Sequence, residues 1–116
     1  MRPNQRQHLE GGIYRKRIDA AYFDSIRAGM VLEEAVREAV GAGVVTLLSN
    51  RGVELRGLRD KDLREIAWKR IQPGIVEMQK LSDPSAIRKH TVSIVTRVLT
   101  DVAFEFWNRR GGGEAV

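Results

Sequence analysis

The chain of 116 residues contains no cysteine and only two histidines, His8 and His90. Without thiols it can form neither a disulfide framework nor a thiolate metal site. Neither histidine has a second histidine or a carboxylate at the spacing of a metal site. We therefore expect no metal and no other cofactor.

The sequence also lacks phosphate-binding glycine motifs and long apolar runs. Its 11 glycines match neither a phosphate loop nor a dinucleotide fingerprint. Residues 1–12 contain no apolar segment of the kind that a secretory signal needs, and the longest uncharged stretch, 39–50, is too short to span a bilayer. We expect a cytoplasmic protein without membrane contact that is not an enzyme.

Only three prolines interrupt the chain, and apolar residues recur with helical spacing between them. Tyr14, Ile18, Tyr22 and Ile26 are each four residues apart, which predicts a first helix that Gly29 ends. A second helix is predicted by an apolar stripe that consists of Leu32, Ala35, Val36, Ala39 and Val40.

The sequence after this stripe supports two alternatives. The second helix could continue to Ser49. Alternatively, the β-branched residues of 44–56 could form a small hairpin around a turn at 49–52.

Two further breaks are predicted in the second half of the chain. Asp60 is a favourable N-cap for a third helix, which Pro73 would end before a short fourth helix runs to Leu81. Asp83 and Pro84 fit the N-cap and first position of a long final helix over 84–110. The fold predicted is all-α: a single bundle of four or five helices over 13–110, between a basic arm at 1–12 and a tail at 111–116.

The final helix is apolar over much of its circumference near its C-terminal end. It is either the central helix of the bundle or a helix shared with a partner chain or a second copy. The residues predicted for a partner interface are Phe104, Trp107 and Arg110.

The net charge of +5 is concentrated in two clusters. The first, residues 15–17, lies at a helix start, where cations oppose the helix dipole and so suggest an external ligand. The second runs from 51 to 64 and ends four residues before Trp68, which could stack a base. Each cluster also has a purely structural alternative. The first cluster could be a solvated surface. In the second, Arg64 could cover the ring of Trp68 at the edge of the core.

These features predict a non-catalytic helical subunit of a larger assembly that binds nucleic acid without sequence preference. The alternative is a protein-interaction module, a regulator or inhibitor, that binds an acidic partner surface. The predicted nucleic-acid-binding residues are Arg15, Lys16, Arg17, Arg59, Lys61, Arg64 and Trp68.

Overall fold

The structure, a computed structural model, describes residues 12–49 and 59–107, the side chains of Phe106 and Trp107 excepted. This part of the chain contains four α-helices and no strand: α1 Gly12–Arg27, α2 Leu32–Ser49, α3 Asp60–Gln79 and α4 Pro84–Trp107. The predicted all-α bundle with a long C-terminal helix is confirmed. Most of the predicted arm, together with Arg110 and the tail, lies outside the described residues, and Gly12 already belongs to α1.

Two of the predicted helix boundaries form as expected. Gly29 adopts a left-handed conformation, with φ of 91°, at the end of α1. The Met30 N–H donates to the Ser25 carbonyl at 3.1 Å and the Gly29 N–H to the Ile26 carbonyl at 3.0 Å, the pattern of a Schellman cap. At the start of α4, the Asp83 carboxylate accepts a hydrogen bond from the Ser85 N–H at 3.2 Å.

The start of α3 differs by one residue from the prediction. Arg59 precedes the helix, and Asp60 is its first residue rather than its N-cap. The Arg59 N–H donates to the Asp62 carboxylate at 3.3 Å. Asp62 therefore closes this helix start, and the Asp60 side chain is left to pair with Arg64.

The predicted break at Pro73 is wrong, because α3 continues through this proline to Gln79. Ile71, Ile75 and Met78 lie on both sides of the proline and are all buried in the core. Burial of one continuous apolar face outweighs the single backbone hydrogen bond that a proline removes.

The alternatives at 44–56 are decided for the first part of this segment. Residues 44–49 belong to α2, with Val44 and Leu47 fully buried. The rest of the possible hairpin, residues 50–56, lies outside the described part.

Helices α2 and α4 pack against each other in the centre, with α1 and α3 on either side. At the level of Gly43, α1, α2 and α4 approach closely: a Cβ at this position would lie 2.5 Å from Leu99 Cδ1 and 3.2 Å from Ile18 Cδ1. Asp19, the residue after Ile18 on α1, bonds Arg88, which precedes Leu99 by three turns of α4. None of the four helices is both long and apolar enough to cross a membrane.

Candidate functional site

A groove of about 520 Å³ lies between α1 and α4 and carries most of its charge as cations. We call it the basic groove. Among its described lining residues the one carboxylate is that of Asp19. Its lining residues are Gly12, Arg15, Lys16, Asp19, Ser85, Arg88, Lys89 and Val92.

Asp19 and Arg88 clamp the two helices together across this groove. The Arg88 guanidinium donates two hydrogen bonds to the Asp19 carboxylate, at 2.6 and 2.8 Å. These bonds lower the pKa of the Asp19 carboxyl, and the nearby charge of Arg15 acts in the same direction. The Arg88 guanidinium also lies 4.2 Å from the centroid of the Phe23 ring. Arg88 is therefore held in place, and it neutralises the carboxylate of the groove.

The three other cations of the basic groove lack such a partner. Arg15, Lys16 and Lys89 are exposed and form no hydrogen bond or ion pair with the described residues. Arg88 holds the Asp19 carboxylate, which Arg15 attracts only at longer range, and no other carboxylate lines the groove among the described residues. The basic groove thus presents three available positive charges to solvent.

A second cleft of about 450 Å³ crosses the outer side of α2 between α1 and α3. Arg17 and Arg64 both line it, together with the carboxylate of Glu38. Arg64 forms an ion pair with Asp60 and lies directly over Gly41, where a Cβ would be 2.6 Å from its Nη1 atom. Arg64 is therefore a packing residue between α2 and α3 that also borders a cleft.

Trp68 lies at the edge of the core, half-buried and packed against it. The guanidinium over its ring, 4.1 Å from the centroid, belongs to Arg37 of α2. Arg64 lines the same small cavity beside the ring. The ring is thus occupied by a cation from another helix, which the four-residue spacing of Arg64 and Trp68 did not indicate.

The rest of the second cluster is described only at residues 59–64, because 51–58 lie outside the described part. Arg59 pairs with Asp62 at 3.4 Å, whereas Lys61 is exposed and forms no ion pair with the described residues. Within 59–64 the second cluster therefore offers one available cation, compared with three at the basic groove.

The structure separates the predicted binding residues into two surfaces. Arg15 and Lys16 line the basic groove, while Arg17 lines the cleft that also contains Arg64. Arg88 and Lys89 were not among the predicted residues. The run Arg88-Lys89-His90 near the start of α4 is a signal that could have indicated them.

The predicted partner interface lies near the end of α4. Phe104 is half-buried, and Glu105 accepts two hydrogen bonds of 3.1 Å from Arg70 of α3. Trp107 is the last described residue of α4, and its side chain lies outside the described part, as does Arg110. The partner interface stays a prediction.

Among residues 12–49 and 59–107, no cluster of three or more potential metal ligands occurs. Searches of protein-family models, of curated proteins and of solved structures found no significant match for this chain. The case for a function therefore depends on the geometry and charge of the grooves.

The Asp19–Arg88 pair predicts how stability changes in acid. Because the folded-state pKa of Asp19 is below its ordinary value of 3.8, the pair stabilises the fold above that value. This contribution is lost as the pH falls through the lowered pKa. We expect Asp19→Asn to reduce the free energy of unfolding at neutral pH. The difference in this free energy between variant and wild type should become smaller below the lowered pKa of Asp19. Urea unfolding at neutral and at acid pH measures both.

Asp24→Asn is the matched control for this experiment. Asp24 lies on the same helix, is exposed, and its side chain makes no hydrogen bond or ion pair with the described residues. An equal loss of stability in both variants at neutral pH would show that the Asp19–Arg88 pair does not contribute to the free energy of unfolding.

Proposed function

We propose that this protein binds nucleic acid through the phosphate backbone, without sequence preference, as a non-catalytic component of a larger assembly. The observation that carries the proposal is the presence around one groove of three cations that form no ion pair with the described residues, Arg15, Lys16 and Lys89. Lysine and arginine contacts to phosphate supply most of the affinity of sequence-independent binding, since they release condensed counterions.

The Asp19–Arg88 pair supports this function indirectly. An isolated carboxylate in the basic groove would repel phosphate. With both carboxylate oxygens held by the Arg88 guanidinium, Asp19 fixes the positions of α1 and α4 and adds little repulsion.

The other predicted binding residues fit a secondary role. Arg59 and Arg64 face carboxylates of their own helix, so a phosphate would have to compete with Asp62 and Asp60 for them. Arg17 and Lys61 are exposed and could extend the contact beyond the basic groove. We expect their removal to weaken binding less than removal of the groove cations.

The salt dependence of binding tests the proposal. For wild-type protein, the logarithm of affinity for a mixed-sequence DNA duplex is expected to fall linearly with the logarithm of salt concentration. Lys16→Ala combined with Lys89→Ala removes two phosphate contacts and should flatten the slope by up to about 1.8, at roughly 0.9 for each contact. The measurement is a fluorescence-anisotropy titration at several salt concentrations.

A control variant with the same change in charge is available at Lys69 of α3 and at Lys80, which directly follows α3 and pairs with Glu77 at 3.5 Å. Lys69 and Lys80 are exposed, and α3 packs mainly against α2 and α4 rather than α1. Lys69→Ala with Lys80→Ala should change the slope much less. Equal salt slopes in the two double variants would show that the basic groove is not where phosphate binds. No binding by folded protein at low salt would favour an interaction module for an acidic protein surface.

A further inference from the structure

We infer that the basic groove takes the nucleic acid as a duplex, contacting phosphates without stacking any base. This inference depends on the proposed function and specifies its ligand. Proteins that bind single strands without sequence preference combine a basic groove with aromatic rings on which the bases stack. The basic groove has the cations, but the described aromatic rings of α1, α2 and α3 are either buried or covered by a guanidinium.

Phe23 contacts Arg88 of the basic groove. The residue is 37% exposed, but the guanidiniums of Arg88 and Arg27 lie 4.2 and 5.6 Å from the centroid of its ring. Arg88 is in turn fixed by two hydrogen bonds to Asp19. A base that stacked on Phe23 would have to compete with these two guanidiniums, of which Arg88 is held by a carboxylate.

The tyrosines and Trp68 offer no alternative platform. Tyr14 and Tyr22 are only 2% and 5% exposed. Trp68 packs against the core and carries the Arg37 guanidinium over its ring. It also lines a different cavity from the basic groove.

The aromatic residues at the end of α4 are too distant to assist. Phe104 follows Val92, the last groove residue of α4, by 12 positions in one continuous helix. At 1.5 Å per residue, this is about 18 Å along the axis, and the α4 backbone at Trp107 is farther still. A base contacting either residue would lie well beyond the basic groove.

Without stacking, affinity follows the charge density of the ligand. Duplex DNA carries one negative charge per about 1.7 Å of axis, and each neutralised phosphate contributes roughly 0.9 to the salt slope, against about 0.7 for single strands. For the three available groove cations the two slopes differ by about 0.6, so that, if duplex and single strand bind equally at about 1 M salt, the duplex binds about fivefold more tightly at about 0.07 M. If bases stacked on aromatic rings, single strands would bind more tightly than duplex, because stacking contributes about 1–3 kcal/mol per base.

The test compares a mixed-sequence DNA duplex with one of its separate strands, by anisotropy titration of wild-type protein over several salt concentrations. We expect tighter binding of the duplex, by about fivefold at low salt, and a steeper salt slope for the duplex. Phe23→Leu and Trp68→Leu, which remove each ring but keep an apolar side chain, should leave the ratio of the two affinities unchanged.

The outcomes separate this inference from the proposed function. Single-strand binding as tight as duplex binding, or a selective loss of single-strand binding in Phe23→Leu or Trp68→Leu, would overturn the inference alone. If neither ligand binds, or if Lys16→Ala with Lys89→Ala behaves like Lys69→Ala with Lys80→Ala, the proposed function itself fails. An equal loss of affinity for duplex and single strand in Phe23→Leu would leave the ratio of the two affinities unchanged and support the inference. Such a loss would mean that the ring positions Arg88 and does not stack a base.

Discussion

Replacing Leu99 with alanine is expected to lower the free energy of unfolding by about 3 to 5 kcal/mol, the upper range for a buried leucine. Leu99 is fully buried on α4 and lies where α1, α2 and α4 approach closely, beside Gly43 and Ile18. Three helices meet there, so the structure can collapse only partly into the space left by the side chain. Urea unfolding with an unchanged slope against denaturant would measure the loss.

Leu48→Ala provides the same chemical change at a different level of burial. Leu48 is 38% exposed on α2, and we expect its replacement to change stability by about 0.5 kcal/mol. If both substitutions destabilised the protein equally, Leu99 would not lie at the centre of the core.

The close approach at Gly43 adds a sharper test of the same region. In the wild-type background, the methyl group of Gly43→Ala would lie 2.5 Å from Leu99 Cδ1, so the neighbouring side chains must shift. In the Leu99→Ala background the same methyl group enters the cavity. We expect the double variant to be more stable than the sum of the single changes predicts, by about 0.5 to 3 kcal/mol. Additive changes would contradict the packing of α2 directly on Leu99.

Features that depend on neighbouring residues were predictable from the sequence. The cap at Gly29 and the start of α4 at Asp83 follow from backbone geometry and from side chains within a few positions of each end. The four-residue recurrence of Tyr14, Ile18 and Tyr22 likewise placed these three on the buried face of α1. Ile26 continues the same pattern but is exposed, because α1 reaches its end there.

The candidate site was less accessible to this reasoning because distant segments form it. Asp19 and Arg88 are 69 positions apart, and no local spacing connects them. Periodicity places Arg64 and Trp68 on one face of α3, yet Arg64 pairs with Asp60, and the cation over Trp68 comes from α2. The charge clusters indicated which segments were basic, whereas the arrangement of the helices determined which cations share a groove.

Pro73→Ala is expected to raise the free energy of unfolding by about 1 to 2 kcal/mol. Pro73 lies inside α3, where it has no N–H to donate to the carbonyl of Lys69, and a proline in a helix interior costs about 3 kcal/mol. Its side chain is exposed, so alanine removes little packing. The gain is smaller than the full amount because proline also restricts the unfolded chain.

Gln72→Ala, at the adjacent exposed position of α3, is the control and should change stability by about 0.5 kcal/mol or less. If Pro73→Ala were neutral or destabilising while the control behaved as expected, the shape that proline gives α3 would itself be needed for packing against α4. α3 and α4 are in close contact at the adjacent Gly74, where a Cβ would lie 2.7 Å from Ile94 Cδ1. A change in the shape of α3 would therefore disturb its packing against α4 at this point. A stabilised variant would instead show that burial of Ile71, Ile75 and Met78 holds α3 together in spite of the proline.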